Sequence, residues 1–214
     1  MPEIAASALD GRQRTLVENA RVALERRSYA YAVEACTQVL RDAPGCLAVR
    51  RLLRQAQLGQ WRQRSRLARG ARVLVAWLIY LSPVSRDPHR RSRGAERVLR
   101  WHPNHVGGWL QLAGAAEALT WPGTVVFALE AVREIAPGNL GHALALGRAL
   151  LAHGQPERAL ALANDVLAQR LLDPGAQELV RAASVALTMA RGHWDPAGSF
   201  RAQLRAPATG EPVA

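Results

Sequence analysis

Apolar residues recur along this chain at helical spacing, and the runs they form are stopped by proline. Val33, Cys36, Val39 and Leu40 make one stripe, Ala95, Val98 and Leu99 a second, and Val125, Leu129 and Val132 a third. Each follows the three-to-four-residue recurrence that places side chains on one helix face. Pro44, Pro103 and Pro137 follow these stripes in the contexts RDAPG, RWHPN and EIAPG, where a residue without an amide hydrogen cannot continue a helix. A further helical pattern precedes each stripe. The pattern predicts helices near 12–26, 30–42, 46–58, 71–81, 88–101, 105–119, 123–135, 139–153, 156–170 and 175–191.

The helices repeat. Pro103 and Pro137 lie 34 residues apart, and small residues stand at matching offsets between large ones. Ala20, Tyr29, Ala32 and Pro44 mark a first unit over about 13–46. Trp109, Leu112, Ala113 and Pro137 mark a third over about 105–138, and Leu146, Gly147, Gly154 and Ala159 a fourth over about 139–172. Small residues let two helices cross closely while larger ones fill the gaps beside the crossing. These residues resemble the tetratricopeptide repeat, a helix-turn-helix unit of about 34 residues. Two departures stand out. Val125 takes a position that is usually small, and the fourth unit's proline is displaced to Pro174. Pro44 and Pro103 lie 59 residues apart, 25 more than one period, so the array is interrupted in its middle.

The resemblance implies an all-α fold: a tetratricopeptide-like α-solenoid of antiparallel helix pairs with an irregular Arg-rich middle segment. Its expected parts are an N-terminal helix pair at 1–46, an Arg-rich helix or linker at 47–70, repeats with a C-terminal capping helix at 71–192, and a flexible tail at 193–214. It also implies a non-enzymatic scaffold or assembly adaptor whose concave face, lined by the first helix of each unit, holds a peptide or helix. Carried over by register, that partner groove comprises Arg14, Val17, Arg21 and Leu24 from the first unit, Leu110 and Glu117 from the third, and Leu144, Arg148 and Leu151 from the fourth. Mixed Leu and Arg suit an amphipathic peptide. Members of the family that grip chaperone C-termini use a Lys and Asn pattern, and Val17 and Arg21 stand there instead.

Composition agrees with helices. Apolar residues make up 49% of the 214 residues and aromatics only 5%, and the Ala- and Leu-rich balance disfavours sheet. Charge adds something the repeats do not. The formal net charge is +11, and every basic residue counted is arginine. Residues 50–100 hold fourteen arginines against two acids, while the flanking parts are near neutral. This basic patch, comprising Arg50, Arg51, Arg54, Arg62, Arg64, Arg66, Arg69, Arg72, Arg90, Arg91 and Arg93, supports an alternative function. In that reading the chain is a nucleic-acid-binding or ribosome-associated protein acting through 50–100, with nucleic acid or an anionic membrane surface as partner. Arginine's planar fork pairs well with phosphate. The competing explanation is a solvated helix and linker in a chain that uses arginine throughout.

Candidate chemistry is sparse. His102 and His105, in WHPNH, lack neighbouring acidic or cysteine ligands, so capping or surface roles are expected and no metal site. There is no phosphate-loop glycine pattern, no GxSxG and no HExxH, and Glu130 and Glu134 sit one turn apart on a solvated face. No catalytic residue and no cofactor are expected. Cys36 and Cys46 read as reduced, buried hydrophobes. The N-terminal stretch lacks a signal-peptide core, and the nine-residue apolar run at 73–81 is too short to span a bilayer. The expected compartment is the cytoplasm.

Overall fold

The computed structural model describes residues 2–82 and 85–191. Within them the chain forms ten α-helices: α1 Gly11–Glu25, α2 Tyr29–Asp42, α3 Leu47–Gln63, α4 Arg66–Tyr80, α5 Pro88–Trp101, α6 Val106–Ala118, α7 Pro122–Ile135, α8 Leu140–Ala152, α9 Pro156–Gln169 and α10 Pro174–Arg191. A 3-10 turn at Ala6–Ala8 precedes them. Ile4 and Cys46 form an isolated parallel bridge, and there is no sheet among the described residues. The tail expected over 193–214 lies outside the described residues.

The boundaries follow local chemistry. Asp10 and Gln13 form a reciprocal capping box at the start of α1, and Asn139 accepts from the His142 N–H at the start of α8. Pro88, Pro122, Pro156 and Pro174 each open a helix, where a missing N–H leaves no bond unmade. Pro174 is thus the first residue of α10 rather than the displaced terminator of the fourth unit. Asp173 caps that helix by accepting from the Ala176 N–H at 2.9 Å. The α8–α9 turn passes through Gly154 at φ +72°, a left-handed conformation that costs glycine little.

Consecutive helices pack as antiparallel neighbours: α1 with α2, α2 with α3, α4 with α5, and then each helix with the next through α10. The result is an all-α solenoid. Two large apolar clusters and a small one, of Ala143, Val166 and Ala176, run along it. Val17, Ala20, Val33, Cys36, Val39, Leu40, Val49 and Leu53 fill the N-terminal part. Leu99, Trp109, Leu112, Phe127, Val132, Leu146, Leu150 and Leu179 belong to the other large one, in which Trp109 and Phe127 stack edge to face at 5.6 Å. Gly147 admits the close approach of α10, because a Cβ there would lie 2.4 Å from the Leu179 side chain.

Residues 47–70, expected as an Arg-rich helix or linker, take the helical alternative: α3 runs regularly to Gln63, two residues turn, and α4 begins at Arg66, five positions before the predicted start. Ser65 sets that start by accepting from the Ala68 N–H at 3.3 Å. The segment is regular helix on both sides of that turn, and its arginines tolerate helical conformation well.

Candidate functional site

The extra residues between Pro44 and Pro103 hold α2 and α5 apart. A cavity of about 670 Å³ opens between them, lined by Leu40 and Arg41 of α2, Leu53 and Gln57 of α3, Ile79 and Tyr80 at the end of α4, and the Arg90–Arg100 face of α5. That volume falls within the roughly 300–1,000 Å³ usual for ligand clefts. Arg100 of α5 reaches across to Glu34 of α2 at 2.9 Å.

On α5, Arg90, Arg93, Arg97 and Arg100 recur at three- and four-residue intervals and are all exposed, so they form one stripe. Ala95, Val98 and Leu99 anchor the opposite side in the core. Arg90 is near Asp87 at 3.6 Å and Arg100 is paired with Glu34. Arg41, Arg91, Arg93 and Arg97 have no carboxylate partner among the described residues. Arg91 is half-buried, and its Nε finds no hydrogen-bond acceptor there. Glu96 is the cleft's own carboxylate, and it is engaged by Arg50. The cleft therefore carries uncompensated positive charge over a floor closed by the buried Leu40, Leu53 and Val98, with Ile79 half-exposed beside them.

Three arginines of the expected basic patch are not surface groups. Arg50 is 3% exposed, donates to Glu96 and to the Pro44 carbonyl, and lies 5.2 Å over the Trp121 ring. Arg54 pairs with Glu134 at 2.6 Å and stacks over Trp109 at 5.2 Å. Both sit on the face of α3 that joins it to α5, α6 and α7, and their stems cover apolar side chains while the heads find acceptors. Arg72 donates to the carbonyls of Arg100 and Trp101 and lies 4.6 Å over the Trp101 ring. Burial first, and then Arg64 and Arg100 nearby, hold its guanidinium below the usual arginine range. Of the remaining members, Arg90, Arg91 and Arg93 line the cleft. Arg51, Arg62 and Arg66 are exposed elsewhere, and Arg64 and Arg69 are half-buried.

The groove expected by register is not the cleft. Val17 is buried at 8% in the N-terminal core, because it continues the Ala20 and Ala23 stripe that packs α1 on its neighbours. Leu24, Leu110, Leu144 and Leu151 are half-buried against the core, whereas Arg14, Arg21, Glu117 and Arg148 are exposed. None of these nine lines the cavity between α2 and α5.

His105 acts as a structural group. His105 caps α6, its Nδ1 accepting from the Gly108 N–H at 2.9 Å, and its ring lies 4.8 Å from Tyr80 and 5.8 Å from His102. Burial lowers the pKa of both, and for His102 the neighbouring His105 adds to the effect. No group of three metal-ligating side chains occurs among the described residues. Burial pushes the Cys36 thiol up to about 12, so it stays protonated and unreactive.

No family model matches the chain, and no curated protein matches it. Among solved structures it is similar to a thermophilic tetratricopeptide-repeat protein from Thermus thermophilus, with 19% identity, 83% of this chain and 82% of that one covered, and a TM-score of 0.38. It is also similar to a tetratricopeptide repeat protein from Parabacteroides merdae, with 14% identity, coverage of 86% and 62%, and a TM-score of 0.42. A third similar structure is MamA AMB-1, with 18% identity, coverage of 92% and 98%, and a TM-score of 0.40. The fold itself rests on the chain's own helices, whose pairing and proline-marked period make it a tetratricopeptide-like α-solenoid of antiparallel helix pairs.

Proposed function

We propose that the chain is a non-enzymatic interaction scaffold that seats an acidic, amphipathic peptide or helix of a partner protein in the cleft between α2 and α5. The observation that carries this reading is the lining: Arg41, Arg91, Arg93 and Arg97, unpaired with any carboxylate among the described residues, beside Leu40, Leu53, Ile79 and Val98. The half-exposed Ile79 and the aliphatic stems of the arginines give such a peptide its apolar contact, and the guanidinium heads select its carboxylates. The α5 stripe also favours a second reading, a nucleic-acid strand lying along Arg90, Arg93, Arg97 and Arg100, which would use the charge and leave the apolar floor idle.

Parallel titrations separate the two. A fluorescein-labelled peptide of mixed glutamate and leucine should bind, and Arg93→Glu with Arg97→Glu should weaken it roughly tenfold or more, about 1.4 kcal/mol. Single-stranded RNA should bind weakly near physiological salt. Tight RNA binding with a steep salt slope, alongside indifference to the peptide, would favour the nucleic-acid reading.

A further inference from the structure

The helix that interrupts the array presents an unusual face. On α4, the residues turned outward are Leu67, Gly70, Ala71, Leu74, Trp77 and Leu78, continued by Leu81 just past its end. They recur at three- and four-residue intervals and so lie in one strip. The large ones are open to solvent: Leu67 is 89% exposed, Leu74 68%, Trp77 51%, Leu78 70% and Leu81 68%. No polar side chain interrupts the strip. The opposite side of α4 carries Arg72, Ala76 and Ile79 toward α5, and Ala76 is its one buried residue. α4 packs chiefly on α5 and adds nothing to the two large apolar clusters, so it stands on the solenoid as a ridge. A contiguous exposed apolar strip of this kind marks a contact surface.

Charge identifies what covers it. From residue 43 to residue 86 the sequence contains no Asp or Glu, while exposed Arg62 and Arg66 stand before the strip and exposed Arg86 beyond it. A second copy of the chain would bring two such cationic rims together against their mutual repulsion. A nucleic acid would gain nothing from four leucines. An anionic bilayer supplies both complements at once, with acyl chains for the strip and phosphate headgroups for its arginine rim. Trp77, half-exposed with its ring 6.1 Å from Tyr80, is the amphipathic aromatic that such an interface favours. At about 1.5 Å per residue α4 is roughly 22 Å long, and no helix among the described residues is long and apolar enough to cross a membrane. We propose that the chain docks on anionic phospholipid membranes through the outward face of α4, which lies in the plane of the interface.

This surface is separate from the α2–α5 cleft, and its test does not depend on the cleft having a ligand. The full chain is mixed with vesicles of phosphatidylcholine alone and with vesicles that also contain phosphatidylglycerol, and binding is read by flotation. The chain should float with the anionic vesicles far more than with the neutral ones, and less as salt is raised. Leu74→Gln with Leu78→Gln changes only exposed positions, so the circular dichroism should be unchanged while bound protein falls roughly tenfold or more. Arg62→Gln with Arg66→Gln should lower binding to anionic vesicles and leave the weak neutral binding as it was. Failure of the native chain to float with anionic vesicles, or equal flotation of the leucine variant, would overturn the proposal. So would a dimer in sedimentation equilibrium that the leucine variant abolishes without any vesicle binding by the native chain, since the strip would then belong to a second copy.

Discussion

Glu3 and Thr124 meet through two hydrogen bonds, the Thr124 backbone N–H donating to Oε1 at 2.8 Å and its hydroxyl donating to the same oxygen at 2.7 Å. The other carboxylate oxygen accepts from the Gly123 N–H at 2.9 Å. α7 has no side-chain cap from its own preceding residue, so a carboxylate from the N-terminal segment satisfies its first amides and faces the positive end of its dipole. The N-terminal segment is held in place as well by the Ile4 N–H, which donates to the Gly45 carbonyl at 3.0 Å. Replacing Glu3 by Ala should remove a cap and orphan the buried Thr124 hydroxyl, costing about 1–3 kcal/mol. Urea denaturation should show the lower midpoint. An unchanged midpoint would mean that this segment does not hold α7.

Arg50 and Glu96 make the next prediction. With the guanidinium almost wholly buried, Glu96→Ala leaves a charge that keeps the Pro44 carbonyl and the Trp121 ring but no carboxylate, a loss of about 3–5 kcal/mol. Arg50→Met combined with Glu96→Ala should recover much of it, because the uncompensated charge goes too. Additive losses in the double variant, measured by denaturation, would mean the two side chains act independently.

Stability should fall on mild acidification. His105 is held below its ordinary pKa of 6.5 in the folded chain, chiefly by burial, so between that value and the lower folded one the unfolded chain binds the extra proton. The contribution is present above about pH 6.5 and is lost as pH drops through the folded value. Protonation of Nδ1 also removes the acceptor that caps α6. The thermal midpoint should therefore decline from pH 7.5 to 5, and less steeply in His105→Asn, whose side chain keeps a capping oxygen and cannot titrate. Parallel pH profiles would assign the loss to other groups.

Ala159 is fully buried in the C-terminal core. Ala159→Leu should overpack it and cost on the order of 1–3 kcal/mol. A denaturation midpoint equal to that of the native chain would show that the crossing has room to spare.

The sequence announced the helices because proline, small residues and apolar stripes are local signals, and the ten predicted spans all correspond to observed helices. Sites were legible only where a local signal existed. The α5 stripe was within reach, since Arg90, Arg93, Arg97 and Arg100 share one face by spacing alone. α4 was not, because residues 73–81 are apolar on every side, and such a helix reads as buried throughout. Which face it turned outward depended on α5. The burial of Arg50 and Arg54 and the reach of Glu3 to α7 were likewise invisible, being contacts between positions 46, 80 and 121 residues apart. Val17 was misplaced because register alone cannot tell a groove-lining residue from the adjacent core residue on the same helix.

Hydrogen exchange of the full chain with and without the glutamate and leucine peptide tests the central reading most directly. Seating in the cleft predicts added protection in the C-terminal half of α2 and along α5, with α8 to α10 unchanged. Protection confined to α1, α6 and α8, around Arg21, Leu110, Glu117 and Arg148, would place the ligand in the groove expected by register and contradict the assignment to the arginine cleft.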